Sequence, residues 1–459
     1  MNTSRCSAPA SAGDVALASG HAPRSGPAVR GLLSAVGAPG YILITRGSVS
    51  RGPPLAFAAA GIHAEHFDAM LRLLHLADIH LGASFSAFGR LAASRQIAVL
   101  DAFRSIPELA KREGAHAILI AGDLFDRPQP PDAVLAAARE TLRRMVEAGL
   151  HVFIVPGNHD PITMHPHPYR DLPPGVCFFA EPVFREPVSV ETPAGPLNVY
   201  GIAFDPAKER EPLRTFRRAD LPGAHVVLLH GSVQGTPHWS ASPNVLKLTT
   251  DALAALGVDY IALGDHHRPR LPHEFDAAGS LPACYSGCFA ALDLTETGPR
   301  GCLVVDIEPG RPPVVRQVPS AVPRVEDVGE VDVSALESDA AVADAVATAL
   351  AAAGAEAAAP SPDQPAAAIP VVRLVGTPAF PLDPDRVRQH LAERFGHADV
   401  RDDSHYYASA RLDALEQTDT VAGHVVRLGR HRIASAATDV QRRIAERALR
   451  IALSALEVR

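Results

Sequence analysis

The chain has 459 residues and a formal net charge of −8, and 47% of its residues are apolar. This length fits two or three domains, and the apolar content is ample for buried cores. The negative charge excludes binding of nucleic acid through an overall basic surface, so any such contact has to come from local patches and metals.

The cysteines and the hydropathy indicate the compartment. The five cysteines are an odd number and are scattered along the chain: Cys6, Cys177, Cys284, Cys288 and Cys302. That usage is typical of a reducing compartment. No apolar run approaches the length of a membrane span, and the first residues lack a secretory signal. We therefore expect a soluble cytoplasmic protein with no membrane contact.

Residues 1–69 are rich in Ala, Gly, Pro and Ser and contain only brief apolar stretches. Such a composition buries too little apolar surface to offset the entropy lost on ordering. We predict a disordered extension, and Met70 is a hypothetical alternative start of the protein.

Residues 70–160 alternate between strand and helix patterns. The strand patterns are 71–77, 118–121 and 151–155, and the helical patterns are 90–112 and 131–148, which Gly114 and Gly149 should end. Strands separated by helices imply a largely parallel sheet. Further strands in 176–204 and 281–307 predict a second sheet packed on the first. The predicted fold class is α/β, a layered α/β/β/α sandwich over residues 70–310.

The composition changes at about residue 311, where Pro312 and Pro313 open a polar segment. We predict a helix over 339–353, a linker over 354–368, strands over 371–375 and 400–410, and a helix capped by Asp383 with Pro384 in its first position. Residues 311–412 are therefore predicted to form a small α/β cap domain.

Residues 413–459 form a predicted C-terminal helical segment. A single helix over 434–459 carries an apolar stripe made of Val440, Ile444, Ala448, Ile451, Ala455 and Val458. Docking of this stripe on a partner and packing on the cap domain are both compatible with the pattern.

Five apolar runs end in residue types that bind metals. The residues that follow these runs are Asp78 and His80; Asp123; Asn158, His159 and Asp160; His230; and Asp265, His266 and His267. Open α/β sheets bind ligands beyond the carboxyl ends of their strands, so these five ends can converge. Carboxylate, amide and imidazole together suit a pair of divalent cations, with Asp123 as the candidate bridge.

Three stretches carry a family resemblance: HLADIHLG (75–82), GDLFD (122–126) and GNHD (157–160). With the later histidines, they resemble the calcineurin-like metallophosphoesterase superfamily and, within it, the SbcD-type DNA repair nuclease subunit. The resemblance covers roughly residues 70–310. It implies that Asp78, His80 and His267 hold one metal, that Asn158, His230 and position 265 hold the other, and that Asp123 bridges them.

The resemblance also places the proton-transfer group. His159 lies beside a ligand, where it can protonate the leaving oxygen, and Asp160 can orient its imidazole. Asp126 is predicted to bond loop amides in a structural role. A close pair such as Cys284 and Cys288 can suggest zinc, but no second ligand pair follows, so we interpret both as buried hydrophobic residues.

The last motif departs from the family pattern. The family usually shows Gly-His-x-His, whereas this chain has Gly264-Asp265-His266-His267. Carboxylate is a competent ligand for manganese or magnesium, so Asp265 can replace the imidazole. Two alternatives remain open: His266 rotates into the site, or the second metal binds weakly.

The resemblance implies a metal-dependent phosphodiesterase acting on DNA, the exonuclease or endonuclease subunit of a repair complex. Its partners would be DNA and an SbcC-like coiled-coil ATPase subunit, with room for a homodimer. The expected cofactors are two divalent metal ions, Mn²⁺ by the mixture of imidazole and carboxylate. The alternatives are a general phosphoesterase for nucleotides or phosphoproteins and a non-cleaving scaffold subunit.

Overall fold

The computed structural model describes residues 70–205, 207–209, 211–236, 244–275, 278–352, 368–378, 380, 382–404 and 409–456. The predicted disordered extension and nearly all of the predicted linker lie outside these ranges. The parallel β/α pattern predicted for residues 70–160 is confirmed in the described part.

The strands are β1 (Leu71–Leu76), β2 (Ala117–Ala121), β3 (His151–Val155), β4 (Val176–Phe178), β5 (Val188–Thr192), β6 (Gly195–Gly201), β7 (Ala224–Val233), β8 (Leu246–Leu248), β9 (Tyr260–Gly264), β10 (Ala283–Tyr285), β11 (Gly301–Ile307), β12 (Val314–Pro319), β13 (Arg324–Asp332), β14 (Ala368–Val375) and β15 (Asp399–Asp402). The helices are α1 (Ala92–Arg104), α2 (Ile106–Glu113), α3 (Asp132–Glu147), α4 (Thr250–Ala254), α5 (Asp339–Ala352), α6 (Pro384–Phe395), α7 (Ser409–Glu416), α8 (Val421–Ala434) and α9 (Asp439–Ala455).

Two sheets form the centre of the molecule. The first has the order β12-β11-β1-β2-β3-β4, and its strands β1 to β4 pair in parallel. The second has the order β10-β9-β7-β6-β5, and β6, β7, β9 and β10 pair in parallel. Parallel neighbours need crossover connections, which are the helices α1 to α3 in the first sheet and mostly loops in the second.

The sheets pack face to face over a shared apolar core. Leu73, Leu119 and Phe153 of the first sheet meet Val226 and Tyr260 of the second, and all five are fully buried. Helices α1 to α3 cover the other face of the first sheet. The outer face of the second sheet is covered by the short helix α4 and by loops. The layered α/β sandwich is thus as predicted, with a thin fourth layer.

A third sheet of order β13-β14-β15 packs against α5 and α6. Asp383 caps α6 as predicted, because its side chain accepts from the amides of Asp385 and Arg386.

The predicted cap boundary at residue 311 is too early, since β12 belongs to the first sheet. The predicted strand 400–410 is also too long. It ends at Asp402, whose carboxylate accepts from both the amide and the hydroxyl of Ser404 and starts a turn.

Helices α7, α8 and α9 follow, so the single helix predicted over 434–459 is wrong in its start and α8 was missed. In α9, Leu449 and Leu453 are buried in a cluster with Val426 of α8. The predicted stripe instead faces solvent, with Val440 57% and Ile444 63% exposed. No helix within the described ranges is long and apolar enough to cross a membrane.

Candidate metal centre

The backbone is strained where the predicted ligands lie. Five non-glycine residues in the described ranges have a positive φ, and four of them are predicted ligands: Asp78 (50°), His80 (50°), Asp123 (48°) and Asp265 (102°). Non-glycine residues rarely adopt this conformation, and it persists only where the surrounding structure imposes it. The turns after β1, β2 and β9 therefore aim their side chains at a specific place.

Glycines in the same turns allow the loops to approach each other closely. A Cβ atom on Gly157 would lie 2.1 Å from Oδ1 of Asp123, and one on Gly264 would lie 1.9 Å from the carbonyl oxygen of Ala121. Only a residue without a side chain fits at either position. The Gly in each of these motifs thus serves the packing of one strand end against another.

Asp123 lies at the middle of the site. Its Oδ2 is 3.7 Å from Nε2 of His80 and 3.5 Å from Nε2 of His230, and the side chain is 3% exposed. Its Oδ1 accepts a 2.8 Å hydrogen bond from the amide of His159. The carboxylate therefore faces imidazoles from two directions, as a bridging ligand would.

One group of donors lies on the β1 side of Asp123. Ligand atoms of Asp78, His80 and His267 lie within 4.8 Å of one another, and the rings of His80 and His267 have centroids 5.2 Å apart. Both carboxylate oxygens of Asp78 lie 3.2 Å from the amide of Asp265, which holds this side chain in place. The three residues predicted to share one metal are thus brought together.

A second group surrounds His230. Its Nε2 is 2.8 Å from Oδ1 of Asn158 and 3.9 Å from Oδ1 of Asp265, and its Nδ1 donates to the carbonyl of Ala121 at 2.9 Å. Of the alternatives for the last motif, Asp265 faces this group. The ring of His266 is buried and lies 5.1 Å from that of Tyr285 instead.

The donor set fits divalent cations on structural grounds. His80 is fully buried, and none of the described residues forms a hydrogen bond with its Nε2. Buried polar atoms are normally satisfied, so this nitrogen is placed for a ligand that it can bind. Buried carboxylates with imidazole and amide around them are the donor set of Mn²⁺, Zn²⁺ or Mg²⁺ rather than of a soft metal.

Two predicted supporting roles are wrong. Asp160 does not orient the imidazole of His159. Its buried carboxylate accepts from the amides of Phe125 (2.9 Å) and Gly157 (2.7 Å) and from the hydroxyl of Tyr169. Asp126, predicted to bond loop amides, instead places Oδ1 3.4 Å from Nδ1 of His80. Asp160 therefore has the amide-bonding role that was predicted for Asp126, while the carboxylate of Asp126 faces the candidate ligand His80.

His159 is exposed at the mouth of the site. Its Nδ1 lies 3.1 Å from the backbone carbonyl of Asp126, and its ring centroid is 4.7 Å from that of His80. Donation from Nδ1 to this carbonyl leaves Nε2 available toward solvent and substrate.

Glu296 is a residue of the site that the sequence analysis missed. Its Oε1 lies 2.5 Å from Nδ1 of His267, and its Oε2 accepts from the amide of Leu292 at 2.7 Å. It lies in a loop between β10 and β11 and follows no strand end, so no pattern in the sequence indicated it. The thiol of Cys288 is buried, as predicted, and contacts the same Oε2 at 3.5 Å.

The buried charges shift the pKa values of two candidate ligands. Burial alone lowers the pKa of His230, but the carboxylates of Asp123, Asp78 and Asp265 outweigh it and raise the pKa to about 9. Burial also lowers the pKa of His267, but the hydrogen bond to Glu296 and the charge of Asp78 outweigh burial and raise this pKa to about 9. Both imidazoles are therefore protonated at neutral pH without a cation.

This protonation predicts two opposite pH dependences. A folded-state pKa of about 9, above the ordinary 6.5, stabilises the chelated protein below pH 6.5, and this stabilisation is lost as the pH rises through 9. Cation affinity should increase over the same range, because a proton no longer has to be displaced. Thermal melting of chelated protein and manganese titration at pH 7 and pH 9 test both. A manganese affinity that falls toward pH 9 would contradict the assignment.

Comparison with known proteins shows which family the sequence resembles. The sequence model of the family described as calcineurin-like phosphoesterase matches residues 71–269. Three relatives are similar to the chain: the uncharacterized metallophosphoesterase YhaO of Bacillus subtilis (29% identity, 52% of this chain, 58% of the relative), the DNA double-strand break repair protein Mre11 of Aeropyrum pernix (30%, 54%, 61%) and the SbcD component of the nuclease SbcCD of Bacillus subtilis (27%, 52%, 67%).

The matched stretch thus spans about three fifths of the length of these relatives. The crystal structure of calcineurin-like phosphoesterase YfkN from Bacillus subtilis aligns with a TM-score of 0.30 at 13% identity, over 55% of this chain and 89% of that one. That score is too low to add to the sequence matches. Residues 71–269 therefore resemble a calcineurin-like phosphoesterase domain, and this part of the chain is similar to Mre11 and SbcD nucleases at moderate identity.

Proposed function

We propose that the chain is a metal-dependent phosphodiesterase that cleaves DNA, the exonuclease or endonuclease subunit of a DNA repair complex. The observation that carries this proposal is the convergence of Asp78, His80, Asp123, His230 and His267 on one site. The names of two relatives, a DNA double-strand break repair protein and a nuclease component, support DNA as the substrate.

The chemistry follows from the arrangement of the side chains. Two divalent cations, when bound, would lower the pKa of a water and offset the charge of the phosphate oxygens. In this proposal, Asp78, His80 and His267 would hold one cation, Asn158, His230 and Asp265 would hold the other, and Asp123 would serve both. Because the phosphodiester is negatively charged, the carboxylates of Asp78, Asp123 and Asp265 require those cations before a substrate can approach.

His159 would act on the leaving group. Its exposed imidazole projects beyond the buried ligands, and the backbone carbonyl of Asp126 fixes the ring through Nδ1. A protonated Nε2 can therefore donate to the departing alkoxide oxygen. Asp160 contributes indirectly, because it ties the amides of Phe125 and Gly157 and so keeps the loops after β2 and β3 together.

The C-terminal helices are the proposed contact with a partner. Val421 and Leu428 of α8, and Val440, Ile444 and Ile451 of α9, are all more than half exposed. Such apolar surface on helices fits a helical partner, and we propose an SbcC-like coiled-coil ATPase subunit in the cytoplasm. A homodimer of this chain within that complex is part of the same proposal.

Cleavage of linear double-stranded DNA by the purified chain in manganese tests the activity. The Asn158→Ala variant is the matched control, since it removes one proposed ligand and leaves the imidazoles in place. Hydrolysis of a chromogenic bis-phosphodiester without DNA cleavage would indicate a general phosphoesterase. Cleavage of neither substrate, with binding of the ATPase partner intact, would indicate a scaffold subunit.

We also propose Mn²⁺ as the metal, and equal turnover with magnesium alone would contradict that choice.

A further inference from the structure

We propose that Glu296 and Asp126 are positioning residues that fix the two imidazoles of the first cation site, so that this site binds its cation more tightly than the second. The inference rests on the metal centre of the proposed function and would deepen it, because it predicts the order in which the two cations bind. Its test measures metal binding without any substrate.

The contact between Glu296 and His267 selects the tautomer of the imidazole. With Nδ1 of His267 2.5 Å from Oε1 of Glu296, the ring keeps its proton on Nδ1 and leaves Nε2 for a cation. A carboxylate behind a ligand imidazole also makes that imidazole more basic toward the metal. Glu296 thus acts on the cation through His267.

The carboxylate and the histidine are both held in place. The amide of Leu292 bonds Oε2 of Glu296 at 2.7 Å, which prevents the side chain from turning away. Arg300 donates to the backbone carbonyl of His267 at 2.7 Å and to that of Thr297 at 3.0 Å. Arg300 therefore joins the ligand loop to the loop that carries Glu296, and it does so while 7% exposed.

Asp126 lies behind His80 on the corresponding side, at an ion-pair distance and without the hydrogen bond that Glu296 forms. Its Oδ1 is 3.4 Å from Nδ1 of His80, while Nε2 of the same ring faces Oδ2 of Asp123 at 3.7 Å. Both imidazoles of the first site thus turn Nδ1 toward an outer carboxylate, and Nε2 of His80 faces the interior. Two separate loops supply these two carboxylates.

The second site lacks this support in the described residues. The imidazole of His230 donates from Nδ1 to a neutral carbonyl, that of Ala121. Its neighbour Asn158 offers an amide oxygen, which is a weaker ligand for a transition metal than an imidazole. Each site includes one carboxylate of its own, Asp78 or Asp265, so the difference lies in the supported imidazoles.

Manganese titration of the chelated full-length chain, by calorimetry and by electron paramagnetic resonance of free Mn²⁺, tests the proposal. The wild type should show a tight and a weak class of sites. In Glu296→Gln the neutral amide cannot accept from both His267 and Leu292, so the tight class should weaken by about 10- to 100-fold. The weak class should change by less than about twofold. Asp126→Asn should have the same selective effect, and it serves as the test if Glu296→Gln fails to fold.

Two controls separate positioning from other roles. Cys288→Ala removes the thiol that contacts Glu296 and leaves the bond to His267, so it should leave both classes unchanged. Glu330→Gln alters an exposed glutamate of β13 and should also have no effect. Nitrogen-15 shifts of His267 in the chelated protein, recorded above pH 9 where the imidazole is neutral, should report a changed tautomer in Glu296→Gln only.

Three results would overturn the proposal. An unchanged manganese titration of Glu296→Gln would show that Glu296 has no role in cation binding. Equal weakening of the tight and the weak class of sites would mean that the residue only stabilises the loop. A loss in Cys288→Ala as large as in Glu296→Gln would make the thiol a ligand. If the wild type binds two cations as described but leaves DNA intact, the proposed function fails and this inference stands.

Discussion

Asp123→Asn is expected to lower manganese-dependent phosphodiester hydrolysis by roughly 10³-fold or more, the equivalent of several kcal/mol of transition-state stabilisation. Asparagine keeps the shape of the side chain and an oxygen that can accept from the amide of His159. It removes the negative charge that faces His80 and His230 at 3.7 and 3.5 Å. The rate loss would therefore report the charge of the bridge and not a cavity.

The measurement is the rate of DNA cleavage together with the number of bound cations. Asp101→Asn, on the exposed face of α1, is the matched control and should leave both unchanged. We expect the Asp123→Asn variant to bind fewer than two cations per chain at manganese concentrations that saturate the wild type. Two tightly bound cations and a wild-type rate would rule out Asp123 as the bridge.

His159→Gln is expected to lower the rate of DNA cleavage by about 10²- to 10⁴-fold, the usual contribution of a general acid. The departing alkoxide of DNA needs a proton, and glutamine cannot supply one. A chromogenic bis-phosphodiester releases a phenolate that needs no protonation, so its hydrolysis should change far less. Manganese binding should be largely retained, because His159 is exposed and is not one of the proposed ligands, although a ring nitrogen of His159 lies within 4.8 Å of ligand atoms of His80 and Asp123.

His165→Gln provides the comparison for this variant, since His165 lies in the loop that follows the same motif. It should cleave both substrates at the wild-type rate. If His159→Gln slowed the two substrates by the same factor, the imidazole would act on binding or on the cations. The role of proton donor would then be wrong.

The fold was predictable where burial dominates the sequence pattern. Short branched runs such as Ile118 to Ala121 can only be interior strands, and their parallel order follows from the helices between them. The predictions failed where a local contact decides. Asp402 ends β15 by accepting a hydrogen bond from Ser404. In α9 the buried face is the narrow one that carries Leu449 and Leu453, and the apolar repeat in the sequence does not show which face is buried.

The supporting residues of the site were the least predictable part. Asp126 and Asp160 are the same residue type in similar motifs, and only the packing of Tyr169 and the loop amides decides which one faces inward. Glu296 contacts a residue 29 positions away in the chain, and neither its loop nor its neighbours mark it. Candidate ligands can be predicted because they follow the carboxyl ends of strands, whereas the residues that contact those ligands from outside occupy no predictable position in the sequence.

The left-handed backbone of Asp78, His80, Asp123 and Asp265 has a consequence for how the protein evolves. At each of these positions glycine would relax the main chain, yet glycine offers no donor atom. The unfavourable backbone conformation of these residues therefore lowers the free energy of unfolding, and favourable contacts elsewhere in the domain have to offset this cost. Variants that lose activity at these positions can gain thermal stability, so a screen for robustness alone would drift away from function.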